Sequence, residues 1–132
     1  MDRPEVECRA ADLSVHAWRV RRSARVIGTT KVGCAVLSST GGFFVGCNVE
    51  HRYRSHDIHA EVNALGNLVS GGDDRAVAVL IAARRKRFTP CGSCMDWIFE
   101  IGGEFCWVGF QAAPDEHVEW LLAQELMPHY PI

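Results

Sequence analysis

His59, Cys91 and Cys94 are side chains of the kind that hold a zinc-type ion, and Glu61 sets a carboxylate two residues from the histidine. Three protein ligands leave a tetrahedral ion one position short. Structural zinc sites close with four Cys or His ligands, whereas catalytic sites keep the fourth position for water. His59-Ala60-Glu61 followed by Pro90-Cys91-Gly92-Ser93-Cys94 therefore points to hydrolytic chemistry. Two sulfurs three positions apart on a first helical turn face one point, and the free N–H groups and positive dipole end favour thiolate there. Neutral His59 with two thiolates cancels the ion's double charge. Such a site activates water less strongly than three neutral ligands would, so a nearby base matters. Glu61 is placed to flank the open position without ligating, taking a proton from the water and delivering it to a substrate nitrogen.

The intervening chain has to bring these two strings together. Ile58 to Val69 carries Val62, Leu65 and Val69 on one helical face and stops at Gly71-Gly72. Ala76 to Ala83 is an unbroken apolar run of strand length, expected to be buried on both faces. A second helix is predicted from Pro90 to the stop at Gly102-Gly103. A helix of about 12 residues advances about 18 Å, and a strand of about 8 residues returns about 26 Å. Both helices then begin at the same end of a sheet, which places His59 beside Cys91 and Cys94.

The remaining segments supply the scaffold. Ala11 to Arg22, with Leu13, Val15, Trp18 and Val20 among charged residues, predicts an amphipathic helix over a sheet. Val32 to Leu37 and Phe43 to Cys47 form a hairpin across Ser38-Ser39-Thr40-Gly41-Gly42. A polar loop, Asn48 to Asp57, leads into the histidine helix. Phe105 to Phe110 is a further buried strand, and Pro114 or Asp115 opens a last helix reaching about Met127. This order predicts a mixed sheet between helical layers.

The 132 residues match one domain spanning 1–132. A net charge of -2 with mixed signs argues against a polynucleotide and suits a small ligand. No apolar run approaches the roughly 20 residues that span a bilayer, and the polar start Met1-Asp2-Arg3-Pro4-Glu5 is unlike a signal peptide. A cytoplasmic location is expected, where six cysteines are not a disulfide framework and Cys-x-x-Cys reads as metal or redox chemistry. Cys34, Cys47 and Cys106 lie in predicted strands as small buried residues.

The constellation of H-x-E and P-C-x-x-C marks zinc deaminases of nucleobases, and the sequence resembles the cytidine deaminase family. Gly46-Cys47-Asn48-Val49-Glu50 resembles the family's ribose-recognition segment, in gapless register with His59. Lys31-Val32-Gly33-Cys34-Ala35 resembles its first strand, Ile101-Gly102-Gly103-Glu104 the end of its second zinc helix, and Glu125 to Tyr130 its C-terminal tail. The resemblance covers about residues 25 to 130. It implies a three-layer α/β/α domain of the cytidine deaminase fold with a mixed five-stranded sheet. It also implies Zn2+ held by His59, Cys91 and Cys94, Glu61 as the catalytic group, and Asn48, Glu50 and the backbone at Ala60 as substrate contacts. The reaction implied is hydrolytic deamination of a cytidine or deoxycytidine-type nucleoside by a homo-oligomer, a tetramer being favoured over a dimer.

Departures from that pattern bear on substrate. Small members commonly carry Cys as first ligand and Arg after the catalytic Glu, where this chain has His59 and Val62; a neutral imidazole removes the negative charge such an Arg would offset. His51, Thr30 and Arg54 replace a family Asn, Phe and Tyr. The same chemistry on a blasticidin S-type antibiotic or a cytidine nucleotide is the nearest alternative, and a non-catalytic zinc-bearing module is the alternative of another class. Arg52 and Arg54, and Arg84-Arg85-Lys86-Arg87, flank the mouth of the site, either as a solvated face or as partners for an anionic substituent. Trp97, Phe99, Trp107 and Trp120 are expected in the core or at subunit contacts.

Overall fold

The structure is a computed structural model that describes residues 1–86 and 88–132; Arg87, the last of the basic stretch, lies outside the described residues. Helix α1, Arg3–Arg21, starts earlier than the apolar pattern predicts. Asp2 caps it by accepting the Glu5 N–H at 2.9 Å, and Pro4 lies in its first turn, where a missing N–H costs nothing. Its buried face runs through Val6, Leu13 and Ala17, with Ala10 half-buried on the same stripe, while Val15 is exposed.

Strands β1 (Val32–Ser38) and β2 (Phe43–Cys47) form the expected hairpin, with Leu37 opposite Phe43 and Gly41 taking the positive φ of the turn. Helix α2, Ala60–Ser70, ends at Gly71. Strand β3, Ala76–Ala83, has the predicted bounds. Helix α3, Gly92–Gly102, ends at Gly103 with φ 80°, and β4 covers Trp107–Gln111. The helix predicted from Pro90 begins two residues later because Cys91, not Pro90, has the extended cap conformation.

No helix runs from Pro114 to Met127. That stretch forms β5, Glu119–Leu122, and a short α4, Ala123–Leu126. Packing overrides helical propensity here. Trp120 is buried against Gly109, where any Cβ would stand 2.7 Å from its ring. The Gln111 side-chain amide donates to the Pro114 and Glu116 carbonyls at 3.2 and 2.8 Å, holding the preceding loop in a turn.

The sheet order is β2-β1-β3-β4-β5, and only β3 and β4 are parallel. Alternation along β3 divides the core. Ala78, Leu80 and Ala82 face α1 with Ala35, Leu37, Trp107 and Trp120. Val79 and Ile81 face α2 and α3 with Val36, Leu68, Ile98 and Phe99. The result is the expected three-layer α/β/α architecture. Cys34, Cys47 and Cys106 are buried as expected, whereas Trp97 is exposed. No helix among the described residues is long and apolar enough to cross a membrane.

Candidate active site

The ends of the scaffold elements place the chemical residues. His59 is the N-cap of α2 and Cys91 the N-cap of α3, both in extended backbone, so each projects from the helix start without spending its side chain on a cap. Cys94 follows on the first turn of α3, buried, while His59 and Cys91 are exposed. Gly46 fixes how α2 lies on the sheet, because a Cβ there would meet the Ala64 nitrogen at 2.3 Å and the Ala60 oxygen at 2.7 Å.

His59 Nδ1 stands 3.3 Å from Cys94 Sγ and 3.4 Å from Cys91 Sγ, and the three donor atoms lie within 4.8 Å of one another. Among the described residues no other group of three His, Cys, Asp or Glu brings donors together in this way. A tetrahedral zinc ion with bonds of about 2.0 Å to nitrogen and about 2.3 Å to sulfur separates such ligand atoms by about 3.6 Å. The donor set fits that ion in chemistry, and its two nitrogen–sulfur distances fit that spacing. Burial, with Glu61 and Cys91 beside it, drives the Cys94 thiol well above its ordinary pKa. A cation bound at this donor set would supply the positive charge that favours its thiolate.

Glu61 occupies the first turn of α2 and is buried, with 7% of its surface exposed. Burial raises its pKa, and its own backbone N–H, Cys94 and His59 partly offset that rise. A carboxyl raised in this way sits closer to neutrality than a solvated one, as a group that must both take and give a proton requires.

The cavity in front of these residues has a volume of about 250 Å³, with Ile81 and Ala83 from β3 and Ala60 among its lining residues. Asn48 and Glu50 line it too, but both are engaged. Asn48 Oδ1 accepts the Val32 N–H at 2.8 Å and its Nδ2 donates to the Thr30 carbonyl at 2.9 Å. Glu50 Oε1 accepts the Ile27 and Gly28 N–H groups at 2.7 and 2.8 Å, and Oε2 pairs with Arg54 at 3.2 Å. These backbone donors, Gly28 then Ile27, hold the Glu50 carboxyl below its usual range. Arg54 also pairs with Asp57 at 2.9 Å, so two carboxylates already answer its charge. Arg85 lines the cavity and, among the described residues, has no carboxylate within salt-bridge distance.

Residues 9–109 match the family model described as the cytidine and deoxycytidylate deaminase zinc-binding region. The chain belongs to this family. A probable cytidine deaminase of Dictyostelium discoideum is 38% identical over 74 residues, which is 54% of this chain and half the length of that relative. The solved cytidine deaminase of Burkholderia pseudomallei aligns with a TM-score of 0.81 at 26% identity over 89% of this chain and 95% of its own. That of Mycobacterium tuberculosis aligns with a TM-score of 0.77 at 25% identity over 92% and 96%. The cytidine deaminase fold is thus shared along almost the whole chain.

Sequence reasoning missed part of this deaminase site. Phe88 and Thr89 line the cavity just before the cysteine motif, and Phe88 packs edge-on to Phe110 at 5.5 Å. Their position next to Pro90 was the available signal. Asp57, at the end of the polar loop and also at the rim, accepts the His51 N–H at 2.7 Å. The loop is in fact clamped. Val49 and Ile58 exchange backbone hydrogen bonds of 2.8 and 2.9 Å, and Arg25 exchanges bonds with Asn48 and Glu50 at 3.0 and 2.7 Å.

Proposed function

We propose that this chain catalyses hydrolytic deamination of an aminopyrimidine nucleoside of the cytidine or deoxycytidine type. The observation that carries this reading is a buried carboxyl, Glu61, beside a His59, Cys91 and Cys94 donor set on the wall of a nucleoside-sized cavity. Zinc held by those three side chains supplies a Lewis acid that makes water nucleophilic near neutral pH. Replacing an exocyclic amine by oxygen also needs two proton deliveries, one to ring N3 and one to the departing amine. Glu61 serves both, accepting a proton from water and passing it on.

The other side chains orient and exclude. The N–H of Ala60 lies in the first turn of α2, where no intrahelical acceptor exists, and is free for the base carbonyl. Ile81 and Phe88 give the ring an apolar floor and wall. Asn48 keeps one amide hydrogen and one lone pair beyond its bonds to residues 30 and 32. Glu50 keeps acceptor capacity on Oε2, so both serve a sugar hydroxyl from rigid positions. The family resemblance supports a homo-oligomer, and the exposed Trp97 is available as a contact between copies.

Ammonia release from cytidine, deoxycytidine, cytidine monophosphate and blasticidin S tests the reading. Turnover fastest on the two nucleosides is expected. Fastest release from the nucleotide or the antibiotic refutes the substrate, and release from none of them by zinc-loaded protein refutes the reaction.

A further inference from the structure

Four arginines converge away from the cavity, on the opposite side of the end of β3. A groove of about 340 Å³ is lined by Trp18, Arg19, Arg21, Arg22, Arg84, Val15 and Pro114, with no carboxylate among them. Arg21 and Arg84 each lie 5.4 Å from the Trp18 ring centroid, so an aromatic face rather than an acid positions both guanidinium groups. Arg21 spends only Nε, on the Lys31 carbonyl at 3.0 Å, and its remaining donors point elsewhere. Among the described residues none of the four arginines forms a salt bridge. Asp115, next to Pro114, is the neighbouring acid in sequence and pairs with none of them.

Like charges held together without a counter-charge repel, and burial, then the charge of Arg84, lower the Arg21 pKa from its ordinary value. A chain whose net charge is -2 keeps this concentration of fixed positive charge in one groove. Guanidinium forks match phosphate oxygens two at a time. With a water's share of liquid taken as about 30 Å³, the groove has room for about eleven waters, which suits linked phosphates better than a single small ion. Trp18 engages the two guanidinium groups with its ring and gives its Nε1 hydrogen to Gln111 at 2.7 Å, so its role in the groove is to position the arginines.

We infer that the groove formed by Arg19, Arg21, Arg22 and Arg84 around Trp18 is a binding site for a short linear polyphosphate, either inorganic or the triphosphate of a nucleotide. The site stands apart from the nucleoside cavity and does not depend on the proposed reaction. Sequence alone hides it, because Arg84 is far along the chain from α1 and joins the groove only where β3 ends.

Calorimetric titration of the zinc-loaded full chain with tripolyphosphate, and separately with ATP, at constant ionic strength, tests the inference. Saturable one-to-one binding is expected, weakened at least tenfold in Arg21→Gln/Arg84→Gln and unchanged in the charge-matched Arg3→Gln/Arg75→Gln. Equal affinity for both ligands assigns recognition to the phosphates; tighter ATP binding assigns the nucleotide as the source. Equal binding of sulfate, or no loss in the arginine variant, overturns the site. Tighter binding of a single-stranded oligonucleotide through the same arginines overturns the small-ligand assignment. If Arg21→Gln/Arg84→Gln does not fold, Arg19→Gln/Arg22→Gln on the exposed side of the groove gives the same readout.

Discussion

Gly46→Ala perturbs the site through the backbone of α2 rather than through any zinc-type donor or the Glu61 side chain. The new methyl would stand 2.3 Å from the Ala64 nitrogen, 2.7 Å from the Ala60 oxygen and 2.8 Å from the Asn63 carbonyl carbon, where ordinary contact begins at 3.4 Å. All three neighbours are backbone, so no side chain can rotate away, and about 1.1 Å of extra separation must come from α2 lifting off β2. Overpacking of this kind costs about 1–3 kcal/mol. The displacement also reaches the site, because Ala60 lies between His59 and Glu61 and metal–ligand distances in real sites stay within about 0.2 Å of their ideal values. Zinc affinity should fall at least tenfold, measured by competition with a chromogenic chelator, and the urea midpoint of the metal-free protein should fall with it. Gly66→Ala, in the same helix, meets nothing within 4 Å and should stabilise by about 0.5–1 kcal/mol while leaving zinc affinity alone. Unchanged zinc affinity in Gly46→Ala, or equal damage from Gly66→Ala, would refute the reasoning.

Glu61→Gln should retain zinc by metal analysis while turnover falls by about 10²–10⁴; near wild-type ammonia release would remove Glu61 from the mechanism. Asn48→Ala strands the Val32 N–H and the Thr30 carbonyl and should cost about 1–3 kcal/mol in a denaturant titration, with catalysis impaired in the fraction that folds. Acid should open the rim. Asp57 is held below its ordinary pKa first by the His51 N–H, then by Arg54, and Glu50 by Gly28 and Ile27. Folded values below unfolded ones mean that this stabilisation is complete above about pH 5 and is lost as pH falls through the folded values. Amide exchange at Ile27, Gly28 and His51 should accelerate there before the core amides of β3 do, and simultaneous loss would contradict it. Chelation should lower the thermal midpoint by the linkage for a ligand that binds only the folded state, and the drop should vanish in Cys91→Ser.

Sequence reading succeeded where one local rule dominated. Ala76–Ala83 is apolar throughout because both its faces are covered, and Phe43–Cys47 is bounded by turn formers on one side and a polar loop on the other, so both strands have the predicted limits. The donor set was legible because ligand type and helix starts carry their own spacing rules, and the structure brings those three residues together. Reading failed where a distant contact decides. Residues 114–127 look helical locally, and the fit of Trp120 over Gly109, with the Gln111 hydrogen bonds to the loop before it, makes them a strand and a short helix instead of one long helix. Likewise the commitment of Glu50 to Ile27 and Gly28 joins segments 22 or more positions apart, with no pattern to announce it.

Val62 shows how the site's charge and the helix packing fit together. It lies with Leu65, Gly66, Val69, Trp97 and Ile101 along an apolar groove between α2 and α3, turned from the donors that its neighbour Glu61 accompanies. A cation at this position would have to be desolvated against that apolar surface, at a cost no adjacent carboxylate offsets. With His59 as first ligand no such cation is required. In the proposed site two thiolates would balance the charge of a zinc ion, the imidazole would add none, and Glu61 would be the acid beside the donors. The first-ligand identity and the apolar residue three positions later are therefore one electrostatic choice. Introducing arginine at position 62 alone should lower stability and leave the zinc ligands unimproved, whereas pairing it with His59→Cys should recover part of the loss.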